Sequence, residues 1–499
     1  LSRIVNYCLN ARTSTRVVTI VLGCVVWSLA ASVHAADVRE TALAMRQKYA
    51  AKLELLAAWC DEQGLAEQAT QTRERAKPAD PNVIRVLALP VRVGETSELA
   101  ADAPKNVAEW HRRYWLLRRE QAKRYFQLAR TAIHAGQPSL AFDLVHAAVA
   151  EDPDYEPVRR LLGYQEFHGQ WRTRWEIQKL RADNIWDERF GWIRKAELPR
   201  YEKGERPYRG RWISAEEDAR LHADIRRGWD VETEHYSIRT SHGIEAAVRL
   251  GRRLEDLYRV WRQIFVCYYA TPQQVEAMFD RQAPRMNLPR FKVVYFRDRA
   301  QYQRDLAGVL PGIENSEGVY LTNMRRAYFF GGDDADEETV LHEATHQLFY
   351  ESRPVARAAG ESANCWVIEG IAVYMETLRR EGDYYVLGGF DRPRMKAARY
   401  RLFKSQFYVP FETLSRYGLG QLQADPNMPK LYSQIAGWTE FLVYYDQGRY
   451  RDALVDYLIG VYNGSQDPTL LARLCRTSYD ELDREYREFM QEGRVKREE

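Results

Sequence analysis

The 499-residue chain carries no substantial surplus of one charge: 73 Lys and Arg stand against 70 Asp and Glu, and Arg3, Arg12 and Arg16 account for the difference. A chain so balanced offers no basic stripe for nucleic acid and no reason to expect a strongly charged partner. Cysteine is also sparse, with six in all. Beyond residue 35 only Cys60, Cys267, Cys365 and Cys475 remain, far apart and without metal-knuckle spacing. A thiolate zinc site is excluded, and no disulfide framework is required. Long apolar runs are missing after Ala31, so no later segment reaches membrane-spanning length. What is present is ordinary for a soluble protein, 45% hydrophobic and 29% charged residues, in a chain long enough for two to four domains.

The single apolar run has a specific setting. Arg12 and Arg16 precede Val17–Ala31, and Val33-His34-Ala35 places small residues where a signal peptidase reads. This pattern predicts an export signal over residues 1–35, cleaved after Ala35, with retention as an anchor the alternative. The mature chain is then expected in the periplasm or outside the cell, with no membrane span of its own.

Four regions follow from the patterning. After the signal, residues 36–160 read as helical, interrupted at Gly64 and by the β-prone piece Val83–Leu89. Within them Ala122–Asp152 shows two apolar stripes separated by Gly136-Gln137-Pro138, the pattern of a tetratricopeptide-like helical hairpin. Such a hairpin is either a protein-docking surface or a helical cap. Residues 161–230 repeat glycine close before tryptophan, at Gly169-Gln170-Trp171, Gly191-Trp192 and Gly210-Arg211-Trp212, which predicts a small connector of β-hairpins. Residues 231–499 alternate strands (His235–Arg239, Phe291–Phe296, Gly318–Thr322) with long helices. The fold class expected is α+β.

Chemistry concentrates in His342-Glu343-Ala344-Thr345-His346. Histidines four apart on a helix project from one face and can share a divalent cation, and the glutamate between them can take a proton from water. Glu369, in Trp366-Val367-Ile368-Glu369-Gly370, lies 23 residues past His346 and can complete the ligand set if the chain reverses. Glu361, Glu376 and Asp383 are lesser substitutes. Three protein ligands and an open position describe a catalytic Zn²⁺ site. Glu343 is then the general base, and Tyr432 is a phenolic donor for a developing oxyanion. The remaining histidines, His134, His146, His168, His222 and His242 among them, read as packing or surface residues.

The His342–His346 motif followed by Trp366–Ala372 resembles the gluzincin arrangement of zinc metallopeptidases, whose third ligand is a glutamate on a following helix. That resemblance implies a zincin-like domain in which His342, His346 and Glu369 bind zinc and Glu343 is catalytic. Residues from about 232 to 450 are similar to a family of exported bacterial gluzincin-like proteins, often found in planctomycetes, that pair this domain with tetratricopeptide-like helices. Leu341–Gln347 and Tyr432–Trp438 carry the similarity. It implies a peptide or protein substrate and leaves its sequence open.

Two departures narrow the reading. Ser352 stands where a three-histidine plan needs its last histidine, and no Gly-Ala-Met-Glu-Asn cluster marks an aminopeptidase. Endopeptidase is favoured over aminopeptidase. The competing class is an exported scaffold whose peptidase-like domain binds a partner without cleaving it.

Overall fold

A computed structural model describes residues 13–280, 288–332 and 335–495, and their side chains from 38 to 492. Of the expected export signal, residues 1–35, the first twelve lie outside the described residues and all of its side chains outside the described side chains, so its cleavage is not addressed by the structure. The fold is mixed α+β, a dominant helical core accompanied by small sheets. Among the described residues no helix is long and apolar enough to cross a membrane.

The chain divides into two compact units, Leu1–Pro78 with Ser97–Val158, and Ala79–Thr96 with Arg159–Glu499. The smaller is helical. Lys105–His134 and Pro138–Glu151 form an antiparallel hairpin closed by Gly136 at φ 71°. Alanines at 122, 129, 132, 141 and 148 are fully buried, so the two backbones approach closely. The first helix of this hairpin is 30 residues long, twice the length of its partner. It extends back to pack Trp110, Tyr114 and Trp115 against Tyr49, Leu53, Leu56 and Cys60. Glu151, buried in this unit, accepts from the Tyr49 hydroxyl at 2.7 Å and lies 3.4 Å from Arg118 Nε.

In the larger unit three hairpins succeed one another: Tyr164–Phe167 with Gln170–Thr173, Asn184–Asp187 with Gly191–Arg194, and Glu205–Tyr208 with Arg211–Ser214. Each is followed by a short helix, and each is entered through a residue at positive φ, Gly163, Asp183 and Gly204. One apolar side chain per hairpin, Trp171, Ile193 or Ile213, is buried. The recurring glycine and tryptophan are therefore the visible part of a structural repeat.

A five-stranded sheet follows in the order Val319–Leu321, Arg326–Phe330, Phe291–Phe296, Tyr236–Thr240, Trp229–Glu232. Its central strand is parallel to both neighbours, and the outer pairings are antiparallel. Val319–Leu321, inside the segment Gly318–Thr322 expected as a strand, is one of the two edge strands. The helix Ile244–Ile264 covers the sheet with Leu250, Leu254, Leu257 and Trp261. The β-prone piece near residue 84 belongs to this unit, since Ile84–Leu87 pairs with Tyr384–Leu387 in a separate three-stranded sheet.

The rest is helical. Cys365–Met375 packs on Met428–Gly448 around an aromatic cluster in which Phe411 stacks on Trp438 at 3.7 Å and Trp366 meets Trp438 edge-on at 5.2 Å. Gly370 makes this contact possible, because a Cβ there would sit 2.5 Å from Thr439 Oγ1 and 2.9 Å from Ile435 Cγ2. Gly370→Ala is expected to lower unfolding stability by about 1–3 kcal/mol, the usual cost of overpacking. Denaturant titration of the purified variant measures it; an unchanged midpoint would mean that the helices part without cost.

Candidate metal centre

The helix Glu337–Glu351 begins at Asp336, whose carboxylate accepts from the Thr339 N–H at 2.9 Å and the Glu338 N–H at 3.2 Å. With Glu337 and Glu338 in its first turn, this end suits the helix dipole. Leu341, Ala344, Leu348 and Phe349 bury one side in the core. Phe349 lies against Trp261, Phe265, Tyr268 and Tyr462. That anchoring fixes the helix rotation and turns His342 and His346 to the opposite face.

The chain then reverses into Cys365–Met375. Asn364 at φ 61° starts this helix, its side chain donating to Asp467 O at 3.0 Å and accepting from the Tyr457 hydroxyl at 2.8 Å. Trp366 Nε1 donates to Ser415 Oγ. Glu369 is thereby carried on a helix held from two sides.

His342, His346 and Glu369 converge, with one possible ligand atom from each within 4.8 Å of the others. His342 Nε2 and His346 Nε2 are 3.0 Å apart, and Glu369 Oε2 lies 3.5 Å from the first and 3.9 Å from the second. Ligands about 2.0–2.1 Å from one tetrahedral zinc ion stand roughly 3.4 Å apart. The observed triangle brackets that value, and two imidazoles with one carboxylate can hold a divalent metal ion. The residues fit the metal.

Charge supports the same conclusion. Two imidazole nitrogens facing each other at 3.0 Å require a proton or a metal ion between them. Burial opposes a charge on His342, but hydrogen bonds to Glu369 and Glu376 raise its pKa to about 10. Burial lowers His346 to about 4, so it accepts. Burial also disfavours ionised Glu369, yet the two histidines hold it down at about 2. A cation is thus stabilised at this point by the protein itself.

Glu343 stands beside the triad and outside it. Burial pushes its carboxyl up to about 7, and its Oε2 accepts from the Tyr320 backbone N–H at 2.8 Å. Tyr320 is in the middle of the edge strand, so the edge and Glu343 face each other directly. The Tyr432 hydroxyl donates to Glu369 Oε2 at 3.0 Å. Burial and the Glu369 charge push its pKa well up, so it stays protonated. The structure brings His342, His346 and Glu369 into one cluster, with Tyr432 bonded to Glu369 and Glu343 on the same helix as the two histidines. Among the lesser substitutes, Glu361 and Asp383 are exposed and do not belong to the cluster.

Glu376 has a different place from the one its sequence position suggested. Its Oε1 accepts from His342 Nδ1 at 2.7 Å, which directs the Nε2 lone pair of a neutral ring toward the triad. Arg394 Nε in turn donates to Glu376 Oε2 at 2.8 Å. Glu376 follows Glu369 by seven residues, two helical turns, so both carboxylates face the same way. That spacing was a readable signal for Glu376, whereas none existed for Arg394. Glu376→Gln is expected to weaken zinc affinity by about 10–100-fold with the fold retained. Competition against a chelating dye measures it, and an unchanged affinity would remove the orienting role.

No family model matches this chain, nor does any curated protein or solved structure.

Proposed function

We propose that this protein is a zinc metalloendopeptidase of gluzincin type, exported from the cell that makes it. The observation carrying the reading is the convergence of His342, His346 and Glu369 with Glu343 alongside, bonded to the edge strand Val319–Leu321. Zinc bound by the triad would supply a Lewis acid for the scissile carbonyl and lower the pKa of the attacking water toward ~7.

The chain's own groups divide the remaining work. A peptide laid along Val319–Leu321 would have to take the Tyr320 N–H from Glu343, which would bring the scissile bond to the Glu343 side chain. Glu343, with a pKa near neutrality, takes the proton from the attacking water and returns it to the leaving amine. Tyr432, kept protonated, donates to the oxygen on which negative charge develops. This last step requires its hydroxyl to turn from Glu369 to the substrate. Glu376 and Arg394 hold His342 in place throughout.

The test is metal analysis joined to an unbiased peptide-cleavage screen on the full chain. Stoichiometric zinc and chelator-sensitive cuts within peptides are expected. Cuts only at free amino termini would make the protein an aminopeptidase, and zinc-replete protein that cuts nothing would favour a binding scaffold.

A further inference from the structure

The charge balance of the whole chain breaks down beside the metal centre. Six cations stand at 392, 394, 396, 399, 401 and 404, and no acidic residue occurs between Asp391 and Glu412. They lie on the helix Pro393–Phe403 and at its two ends. That helix packs along Met428–Gly448. The stretch between Asp425 and Glu440, which enters the second helix, holds Lys430 and again no acid.

Two bonds fix where this basic row runs. Arg394 Nε donates to Glu376 Oε2, and Glu376 in turn holds His342. Arg401, two helical turns on, donates from Nη1 to Pro429 O at 2.8 Å. Pro429 lies about one turn ahead of Tyr432, which is bonded to Glu369. The row therefore passes along the metal centre, from the group behind His342 to the helix bearing Tyr432. Lys396, Lys404 and Lys430 are exposed, and Arg401 is half-buried. Among the described residues no carboxylate lies within ion-pair distance of these four. Between the two lysines of the first helix stand Tyr400 and Phe403, 63% and 39% exposed.

Cations gathered on one surface repel one another and raise a positive potential that an anionic ligand relieves. A bilayer is the poorer occupant. Met395, Ala398 and Leu402, the apolar face of the helix, are buried in the core, so only two rings remain to enter lipid. A polypeptide is the better one, because a chain lying over the metal centre continues onto the row. We propose that Pro393–Phe403 and the start of Met428–Gly448 dock an acidic stretch of the polypeptide substrate. Its carboxylates lie on Lys396, Arg401, Lys404 and Lys430, and its apolar side chains on Tyr400 and Phe403. That the docked polypeptide is a substrate rests on the peptidase reading; the docking of an acidic polypeptide does not.

The two are separable in one set of measurements. Initial fluorescence anisotropy on the zinc-loaded full chain compares two dye-labelled peptides, one of Glu-Gly-Phe-Glu repeats and one with Gln for every Glu. The acidic peptide is expected to bind at least about tenfold more tightly at low salt, an advantage that screening shrinks to roughly twofold at ~0.5 M salt. Lys404→Glu combined with Lys430→Glu, both at exposed positions, is expected to erase the advantage. Equal binding of the two peptides, or an advantage unaltered in the double variant, overturns the proposal. So does capture by phosphatidylglycerol vesicles through the same lysines without preference between the peptides, the outcome of a membrane surface. If the double variant fails to fold, the salt dependence on the unaltered chain decides. Acid-selective binding without any cleavage supports the docking surface and counts against the hydrolase. Equal cleavage of peptides with and without the acidic stretch retains the hydrolase and overturns this inference.

Discussion

Glu343→Gln is expected to leave the protein folded and zinc-loaded while peptide hydrolysis falls by about 10²–10⁴-fold, the usual contribution of a positioned general base. The substitution keeps the size of the side chain and removes only its ability to carry a proton away. The Tyr320 N–H still finds the amide oxygen at the position where Glu343 Oε2 accepts now. His342, His346 and Glu369 keep their contacts with one another, because Glu343 is not part of the cluster they form. Steady-state kinetics on a cleaved peptide, with zinc content measured on the same sample, checks both halves. Turnover within a few-fold of the unaltered chain would take the base role from Glu343, and loss of zinc would make it a ligand.

The second large effect is expected from the ligands. Glu369→Gln removes the one negative charge among the three donors, and zinc affinity should fall by more than the roughly 10–100-fold assigned to an orienting group. Hydrolysis at fixed zinc should fall with it. Metal removal from the unaltered chain also has a thermodynamic consequence. Free zinc at a hundred times its dissociation constant stabilises the folded state by about 2.7 kcal/mol, so chelation should lower the melting temperature. The same chelator should leave the melting temperature of Glu369→Gln nearly unchanged. A shift of equal size in both proteins would place the stabilising metal elsewhere.

How far the site could be read from sequence follows from how local each contact is. His342, Glu343 and His346 sit within one helical turn or so, and their relation is set by helix geometry alone. Glu369 needed a chain reversal, which its helix-compatible surroundings suggested and the Asn364 helix start provides. Gly370 meets Thr439 and Ile435 on another helix, a contact that no local pattern announces. Glu376 was seen only as a spare carboxylate, because the sequence does not tell which ring nitrogen of His342 it meets. The bond from the Gly389 N–H to Glu440 joins a loop to a helix 51 residues further on, and no local pattern encodes that.

The fold divides along the same line. The glycine and tryptophan recurrence announced the three hairpins, whose contacts are all between near neighbours in the chain. The strand near residue 84 was visible by its β-branched residues, but its partner Tyr384–Leu387 is remote in sequence. Composition places such a strand with its helical neighbours, while hydrogen bonding places it in the larger unit.

The most direct measurement of the central claim is zinc-edge X-ray absorption on the metal-loaded chain, which counts and identifies the atoms around the ion. One zinc per chain with two imidazole nitrogens and a carboxylate oxygen, the carboxylate contribution lost in Glu369→Gln, is the predicted result. A spectrum lacking two imidazoles, or one unaltered by Glu369→Gln, would contradict it.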